Sequence, residues 1–522
     1  MLFWSLDMTL PATWQTASIG ELLLDVEKGE PSAWHEESFF YVDIASIDSL
    51  AMKVSSPSEI RVDEAPSRAR QHLQAGDVVF STVRPYLKNI GLIEEWLDGQ
   101  VASTGFCVLR ADEDISYKYL YYFVISDDFI ERLKPLQRGT SYPAVRDADV
   151  KSISIPLPPA NEQRRIVAKI EALFSEIDHG VEELKAAQQK LKRARQALLK
   201  AAFEGKLTAR WRAENPDKLE SPDALRQRIQ AEREAYHRCQ LEQWEKAVEE
   251  WRASGSEGRK PRKPKPIKLL SELEDHELPE LCEGWAWLRV AEVGQVGTGV
   301  TPLKRKEDYY RNGGVPWITS GALNKDFVLE PSGYVTQLAL EETNLRLYPA
   351  GTILVAMYGE GKTRGKCSEL RFEASTNQAI AAIELVEGGG LKKSYLKWFL
   401  KMNYEDIRRR SSGGVQPNLN LGIVEQLMFP APGPDEQALV CETLESQMSY
   451  IDQLDIILIN ARQRAESLKQ SILMQAFSGR LVPQDPDDEP ASELLARIRA
   501  EREAEQATAP RRRRVNKAEA TS

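Results

Sequence analysis

The sequence predicts two copies of an α/β (α+β) domain, separated by long antiparallel coiled-coil helices in a pseudo-two-fold internal duplication. Three observations predict it. Shifted by 274 residues, the chain repeats itself: residues 139–207 fall on 413–481 without a gap, and 20 of those 69 positions are identical. Each repeat then carries apolar residues on a heptad sustained over more than four repeats. Upstream of each heptad, short β-branched or aromatic runs alternate with turn residues, the pattern of a mixed domain.

Residues 1–13 form an N-terminal extension with no basic segment ahead of its short apolar stretch, so no signal peptide is expected. The first α/β domain spans 14–155. Its strands include GDVVFSTV (76–83) and GFCVLRA (105–111), and SYKYLYYFVISDDFIERLKPL (116–136) reads as helix. A conserved-looking helical region follows at 156–207, where Asn161 is a suitable N-cap after a proline-rich turn. One heptad line carries Ile170, Ile177, Leu184, Leu191 and Leu198; the other carries mostly small residues, Gly180, Ala187, Ala194 and Ala201 among them. Large-plus-small heptads predict a close coiled coil, ended by Gly205 as a left-handed C-terminal residue. About 44 residues at 1.5 Å each make a rod of roughly 65 Å. Two such helices packed antiparallel are expected to act as a spacer between the domains.

Residues 208–284 are a charged helical insert running into a Pro/Lys/Arg linker, GSEGRKPRKPKPIK, of extended character. The second α/β domain spans 285–430. Its helical region, 431–482, carries Leu444, Ile451, Leu458, Ala465 and Ile472 on one line and Val440, Gln447, Leu454, Ala461 and Leu468 on the other. Glu162/Glu436, Gln163/Gln437 and Phe203/Phe477 recur at equivalent places, and Gly479 repeats Gly205. Residues 483–522 read as a charged, partly disordered tail ending in a run of arginines, 511–514.

Composition bounds the function. With 69 basic and 79 acidic residues the formal charge is −10, which argues against coating nucleic acid by bulk charge and leaves room for local basic surfaces. The five cysteines are scattered without a CxxC pair, so neither a disulfide framework nor a metal site is expected, and a cytoplasmic setting is. No apolar run reaches the ~18–20 residues of a membrane span. AMYGEGKT (356–363) matches a loose phosphate-loop pattern, yet RGKCSELRFEAST lacks the helical period such a loop must open. No S-adenosylmethionine loop is present and no catalytic set recurs in both halves, so no catalytic residue and no bound cofactor are assigned. The chain reads as a recogniser. Basic and amide residues between strands suit phosphate and base contacts: Arg84, Tyr86, Lys88, Lys304, Arg305, Lys362, Arg364, Lys366, Arg409, Gln416 and Asn418. The competing readings are a coiled-coil scaffold for protein partners and a nucleotide hydrolase built on 356–363.

The cassettes PLPPANEQRRIV…KAAFEGKLT and APGPDEQALV…MQAFSGRLV closely resemble the conserved regions of specificity (S) subunits of type I restriction–modification systems. The likeness spans nearly the whole chain, and the P-x-x-EQ opening with the AF-x-G-x-L ending is specific. The 208–270 insert departs from it. The resemblance implies a DNA-binding, non-catalytic chain whose two target recognition domains each read half of a split, asymmetric double-stranded DNA site, about 10 bp apart centre to centre. It further implies docking of two methyltransferase (M) subunits on the helical regions, with restriction/translocase (R) subunits joining. S-adenosylmethionine, ATP and Mg2+ are then expected on those partners. Glu162, Gln163, Ile170, Ile177, Leu184, Leu191, Leu198, Phe203, Glu436, Gln437, Leu444, Ile451, Leu458, Ile472 and Phe477 are the positions assigned to the docking or spacer helices.

Overall fold

The structure, a computed structural model, describes residues 10–139, 142–256, 260–267, 278–358, 363–386, 390–404, 407 and 419–508. Four long helices organise it: α1 (Ala160–Phe203), α2 (Pro222–Ala253), α3 (Pro434–Phe477) and α4 (Ala491–Thr508). The chain divides into two compact units, one of residues 1–186 and 458–522, the other of 187–457. No described helix is long and apolar enough to cross a membrane.

In the first unit, Gln15–Ser18 pairs antiparallel with Ser154–Leu157, closing the α/β module at its two ends. Between them lie two four-stranded sheets. One runs Ser58–Arg61, Ser38–Val42, Val101–Ser103, Ala69–His72; the other runs Leu23–Leu24, Phe106–Ala111, Val78–Ser81, Ile90–Leu92. The inner strands Val78–Ser81 and Phe106–Ala111 are buried on both faces, so their sequence is near-continuously apolar where a half-exposed strand would alternate. Their fully buried Phe80 packs edge-on against Phe129 of the short helix Asp127–Leu133, 5.3 Å between ring centres.

The second unit repeats this plan. Ala286–Arg289 pairs antiparallel with Met428–Ala431. A five-stranded sheet runs Gly294–Thr298, Ile380–Leu385, Ile353–Ala356, Cys367–Leu370, Phe327–Val328. A four-stranded sheet runs Gly333–Val335, Val315–Ile318, Ala374–Thr376, Leu347–Tyr348. The duplication therefore extends to strand order. It extends to polarity too: Val101–Ser103 lies parallel to Ser38–Val42, as Ala374–Thr376 does to Val315–Ile318.

Within each unit, parts of α1 and α3 lie antiparallel. In the first, Lys469 Nζ donates to Asp178 Oδ1 at 2.5 Å. In the second, Gln188 Nε2 donates to Asp455 Oδ1 at 3.0 Å, and Arg195 pairs with Asp452. The heptad reading needs one correction. Gln447 and Leu468, placed in the seam by a strict seven-residue step, face solvent, Leu468 at 52% exposure, while Met448 is buried. An α-helix of 3.6 residues per turn drifts against a 3.5 repeat. Each helix also ends inside a globular core, where the buried stripe widens beyond two lines.

A second correction concerns 483–508, read as part of a tail. α4 docks on the first unit with Ala491, Leu494, Leu495 and Ile498 buried in its core. Arg497 and Arg499 pair with Asp114 and Glu21. Asp488, in the acidic run that looked solvated, is buried against Arg165 at 2.6 Å. α2 does the same in the second unit, burying Leu225 and Ile229, so the similarity of LRQRIQAERE (225–234) and LLARIRAERE (494–503) is that of two docking faces. The arginines 511–514 lie outside the described residues.

Candidate nucleic-acid interface

The helical cassettes hold each recognition module in place, and the twin residues do so through twin bonds. Gln163 Nε2 donates to the Pro158 carbonyl (3.1 Å) while its Oε1 accepts from the Ser116 amide (3.0 Å). Gln437 repeats this with Pro432 (2.8 Å) and the Lys392 amide (3.0 Å). Glu162 accepts from Trp14 Nε1 (2.9 Å) and Gln484 Nε2 (2.6 Å); Glu436 accepts from Thr208 and Arg212. Burial pushes the Glu162 carboxyl above its ordinary range, against the bonds from Trp14 and Gln484. Tyr119 and Tyr395 donate to the Pro156 and Pro430 carbonyls at 2.8 and 2.7 Å, and full burial raises both phenols well above 10.

Phe203 and Phe477 are the closing plugs. Phe477 meets Tyr119 and Phe123 edge-on, both at 5.1 Å; Phe203 meets Tyr395 at 5.1 Å and Phe399 at 5.4 Å. Gly205 and Gly479 follow with φ of 68° and 72°, and a Cβ there would lie 2.4 Å from Cys282 or Pro11. The positions assigned to the docking or spacer helices divide by burial. Glu162, Gln163, Ile170, Phe203, Glu436, Gln437, Leu444, Ile451, Ile472 and Phe477 are buried within the chain, where they build its own frame. Ile177, Leu184, Leu191, Leu198 and Leu458 are half-buried along the helices. The outward apolar side chains of α3 are Tyr450, Ile456 and Ile457 in the second unit and Ile459, Leu468 and Met474 in the first, 41–60% exposed.

In the first unit, two loops meet at Arg84. Its backbone is left-handed (φ 50°), and its amide donates to the Pro143 carbonyl at 2.7 Å. A left-handed non-glycine residue is uncommon and concentrates at functional sites. The Arg84 guanidinium lies over the Tyr142 ring, 4.7 Å from its centre. Tyr142, Tyr86 and Leu87 are 69%, 48% and 45% exposed around it. An isolated bridge of Val83 to Ala144 holds the second loop against the first, and one of Arg138 to Ala144 closes the second loop on itself. Lys88 does not join this surface: its ammonium donates to Asp127 (2.5 Å) and to the Ile125 carbonyl (3.2 Å), and so serves the fold. Tyr142 was missed by sequence reading, although it aligns with the candidate Gln416 under the 274-residue shift.

In the second unit, Lys304 and Arg305 are exposed at the tip of a turn beside Leu303. Lys306 pins that turn by pairing with Glu342 and lying over the Tyr309 ring. Lys366 is half-buried and donates to Asn324 Oδ1 at 2.7 Å, and Arg364 is half-buried. Lys362, Arg409, Gln416 and Asn418 lie outside the described residues. The phosphate-loop reading fails on topology. Ile353–Ala356 pairs antiparallel with Cys367–Leu370, the next element among the described residues, where a phosphate loop would be followed by a helix.

A twice-repeated α/β module, each copy seated on long helices and carrying its own loop surface, defines a bipartite recogniser. The chain belongs to the family described as the type I restriction modification DNA specificity domain, whose model matches residues 64–186 and 282–463. It is 25% identical over 402 residues to the type I restriction enzyme EcoDI specificity subunit of Escherichia coli, covering 75% of this chain and 78% of that protein. It is 22% identical over 403 residues to the HindI specificity subunit of Haemophilus influenzae, covering 72% and 80%. Among solved structures, one described under complex assembly and conformational transition of the type I R-M system aligns with a TM-score of 0.67 at 27% identity, over 91% of this chain and all of the other. The HsdS subunit from Thermoanaerobacter tengcongensis aligns with a TM-score of 0.51 at 26% identity, over 91% and 99%.

Proposed function

We propose that the chain is the sequence reader of a type I restriction–modification assembly, each recognition module reading one half of a split, asymmetric DNA site. The observation that carries this is the contrast between frame and loops. The frame repeats down to individual hydrogen bonds of Gln163/Gln437 and Tyr119/Tyr395. The loop sequences do not repeat: RPYLK (84–88) stands where the second copy has GEGKT (359–363). Equal mounting with unequal loops is what a reader of two different half-sites requires. Side chains at the loop tips would reach base edges, with surrounding cations placing the backbone.

Two methyltransferase subunits dock on the helices in this reading, and the exposed apolar face of α3 at Tyr450, Ile456 and Ile457 supports such a contact. Catalysis, with S-adenosylmethionine, ATP and Mg2+, belongs to the methyltransferase and translocating restriction partners. The setting is the cytoplasm, in keeping with five free cysteines.

The test is to map methylated adenines genome-wide in a host that expresses this chain with its neighbouring methyltransferase, and again after deleting this gene. A split motif with a fixed gap, lost on deletion, is the expected result. Methylation that persists unchanged without the gene would defeat the proposal and favour a protein-binding scaffold.

A further inference from the structure

The insert between the repeats has no place in the reading so far. Within the second unit, α2 continues past its docked face at Leu225 and Ile229, and the chain then returns along it as residues 260–267. Trp244 Nε1 donates to the Pro261 carbonyl at 3.0 Å, and the Lys263 ammonium lies over the Trp244 ring, 5.4 Å from its centre. Further on, Arg262 Nη2 reaches the Thr343 carbonyl and Asn344 Oδ1, both at 3.4 Å. Three prolines, at 261, 264 and 266, stiffen this strap. Lys260, Arg262, Lys263 and Lys265 are all exposed, and no carboxylate interrupts 260–267.

The strap ends its reach beside a loop already singled out. Thr343 and Asn344 follow directly on Glu342, which pins Lys306 and accepts from Tyr309 at 2.9 Å, and so sets the turn that displays Lys304 and Arg305. Six exposed cations thus belong to one neighbourhood of the second unit, in a chain whose net charge is −10. We propose that residues 260–265 form a phosphate-gripping strap, which holds duplex DNA by its backbone next to the second recognition module without reading bases. The inference rests on the DNA reading proposed above.

The dimensions suit the task. Polyproline-type chain rises ~3.1 Å per residue, which spreads the four cations over roughly 15 Å. That is about four nucleotide steps at the 3.4 Å rise of one strand. The prolines and Trp244 hold the strap extended beforehand, so little conformational entropy remains to be lost on binding. Phosphate contacts place a protein on DNA and make its affinity salt-dependent, whereas base contacts set its preference.

The experiment measures affinity as a function of salt for the full-length chain in its purified assembly. The probes are a fluorescent duplex carrying the mapped split site and a duplex with the site scrambled. Lys260→Ala, Arg262→Ala, Lys263→Ala and Lys265→Ala combined should flatten the slope of log affinity against log salt by about two to three. Affinity should fall by the same factor on both duplexes, roughly tenfold or more near physiological salt. A charge-keeping variant, Lys260→Arg with Lys263→Arg and Lys265→Arg, should retain the parental slope. An unaltered slope in the alanine variant overturns the strap and leaves its charges as partners for the chain's own carboxylates. A loss confined to the specific duplex overturns it in favour of base reading. A parent that binds both duplexes equally would defeat the reading of the previous subsection, and the slope would still decide the strap.

Discussion

Arg84 combines three uncommon properties: a left-handed backbone, a stack on an exposed tyrosine, and a position where two loops are bridged. Left-handed strain at a non-glycine residue costs of order 1–3 kcal/mol and persists only where surroundings impose it. Here Pro85 and the bond to the Pro143 carbonyl impose it. A guanidinium already seated on a ring loses little freedom when it meets a base edge or phosphate. Replacing Arg84 and Arg364 together by alanine should weaken binding of the split site by at least tenfold in a gel-shift assay while leaving the thermal transition in place. Normal binding by that double variant would show that these loops do not read DNA. The same patch has a pH limit. Hydrogen bonds from Arg146, with Arg138 nearby, hold the Asp149 carboxyl down to about 2. A depressed carboxylate stabilises above its unfolded value near 4 and loses that contribution as pH falls through the folded value. Between pH about 4 and about 2 the 138–149 loop should therefore loosen, read as a change in tyrosine fluorescence, and Asp149→Asn should abolish this acid step.

Among the elements, the ends of α1 and α3 matter more than their middles. Elsewhere the two helices are joined within each unit by side-chain bridges such as Lys469–Asp178 and Gln188–Asp455, whereas each C-terminal end drives a phenylalanine into an aromatic cluster. Phe477→Ala should destabilise the first unit by about 3–5 kcal/mol, as large core truncations do, measured by denaturant unfolding. Phe203→Ala should do likewise in the second. A loss below about 1 kcal/mol in either would show that the aromatic clusters close without the plug. The element scale is also where the sequence was most readable. The 274-residue shift locates both long helices, and Gly205 and Gly479 end them as glycines in the left-handed region should. Glu162, Gln163 and Phe203 were visible as repeated letters, but their partners are separated from them in sequence. Gln163 meets Ser116, 47 positions away, and Glu162 meets Gln484, 322 away, so repetition alone could not tell a docking surface from an internal brace. α4 was misread because its charged composition describes its outer face, while four apolar residues spaced along it supply the buried one.

At the scale of the whole molecule, the −10 charge conceals local arrangements that average cannot report. Basic side chains at Lys260, Arg262, Lys263 and Lys265 and at Lys304–Arg305 face solvent on two short segments that hold no carboxylate, so the acidic excess is carried by other parts of the chain. Net charge is therefore a poor guide to what this chain binds. Which loop residues touch bases was illegible for a related reason: the loops are the diverged part, and Lys88 and Tyr142 exchange roles only once Asp127 and Arg84 are seen beside them.

The composition of the two units has a consequence for biosynthesis. The second is a continuous stretch, 187–457, whereas the first needs 458–508 to fill its core, down to the bond from the Ala491 amide to the Thr13 carbonyl at 2.9 Å. Domains made on the ribosome generally fold N-terminal first. In this chain the order is inverted, because the module synthesised first is finished last. At ~5–20 residues per second, synthesis of 458–508 keeps the nascent first module open for several seconds after the second has everything it needs. During that interval its apolar seat for Phe477 and Ile498 is uncovered, and it is the part of the newborn chain with most need of a chaperone.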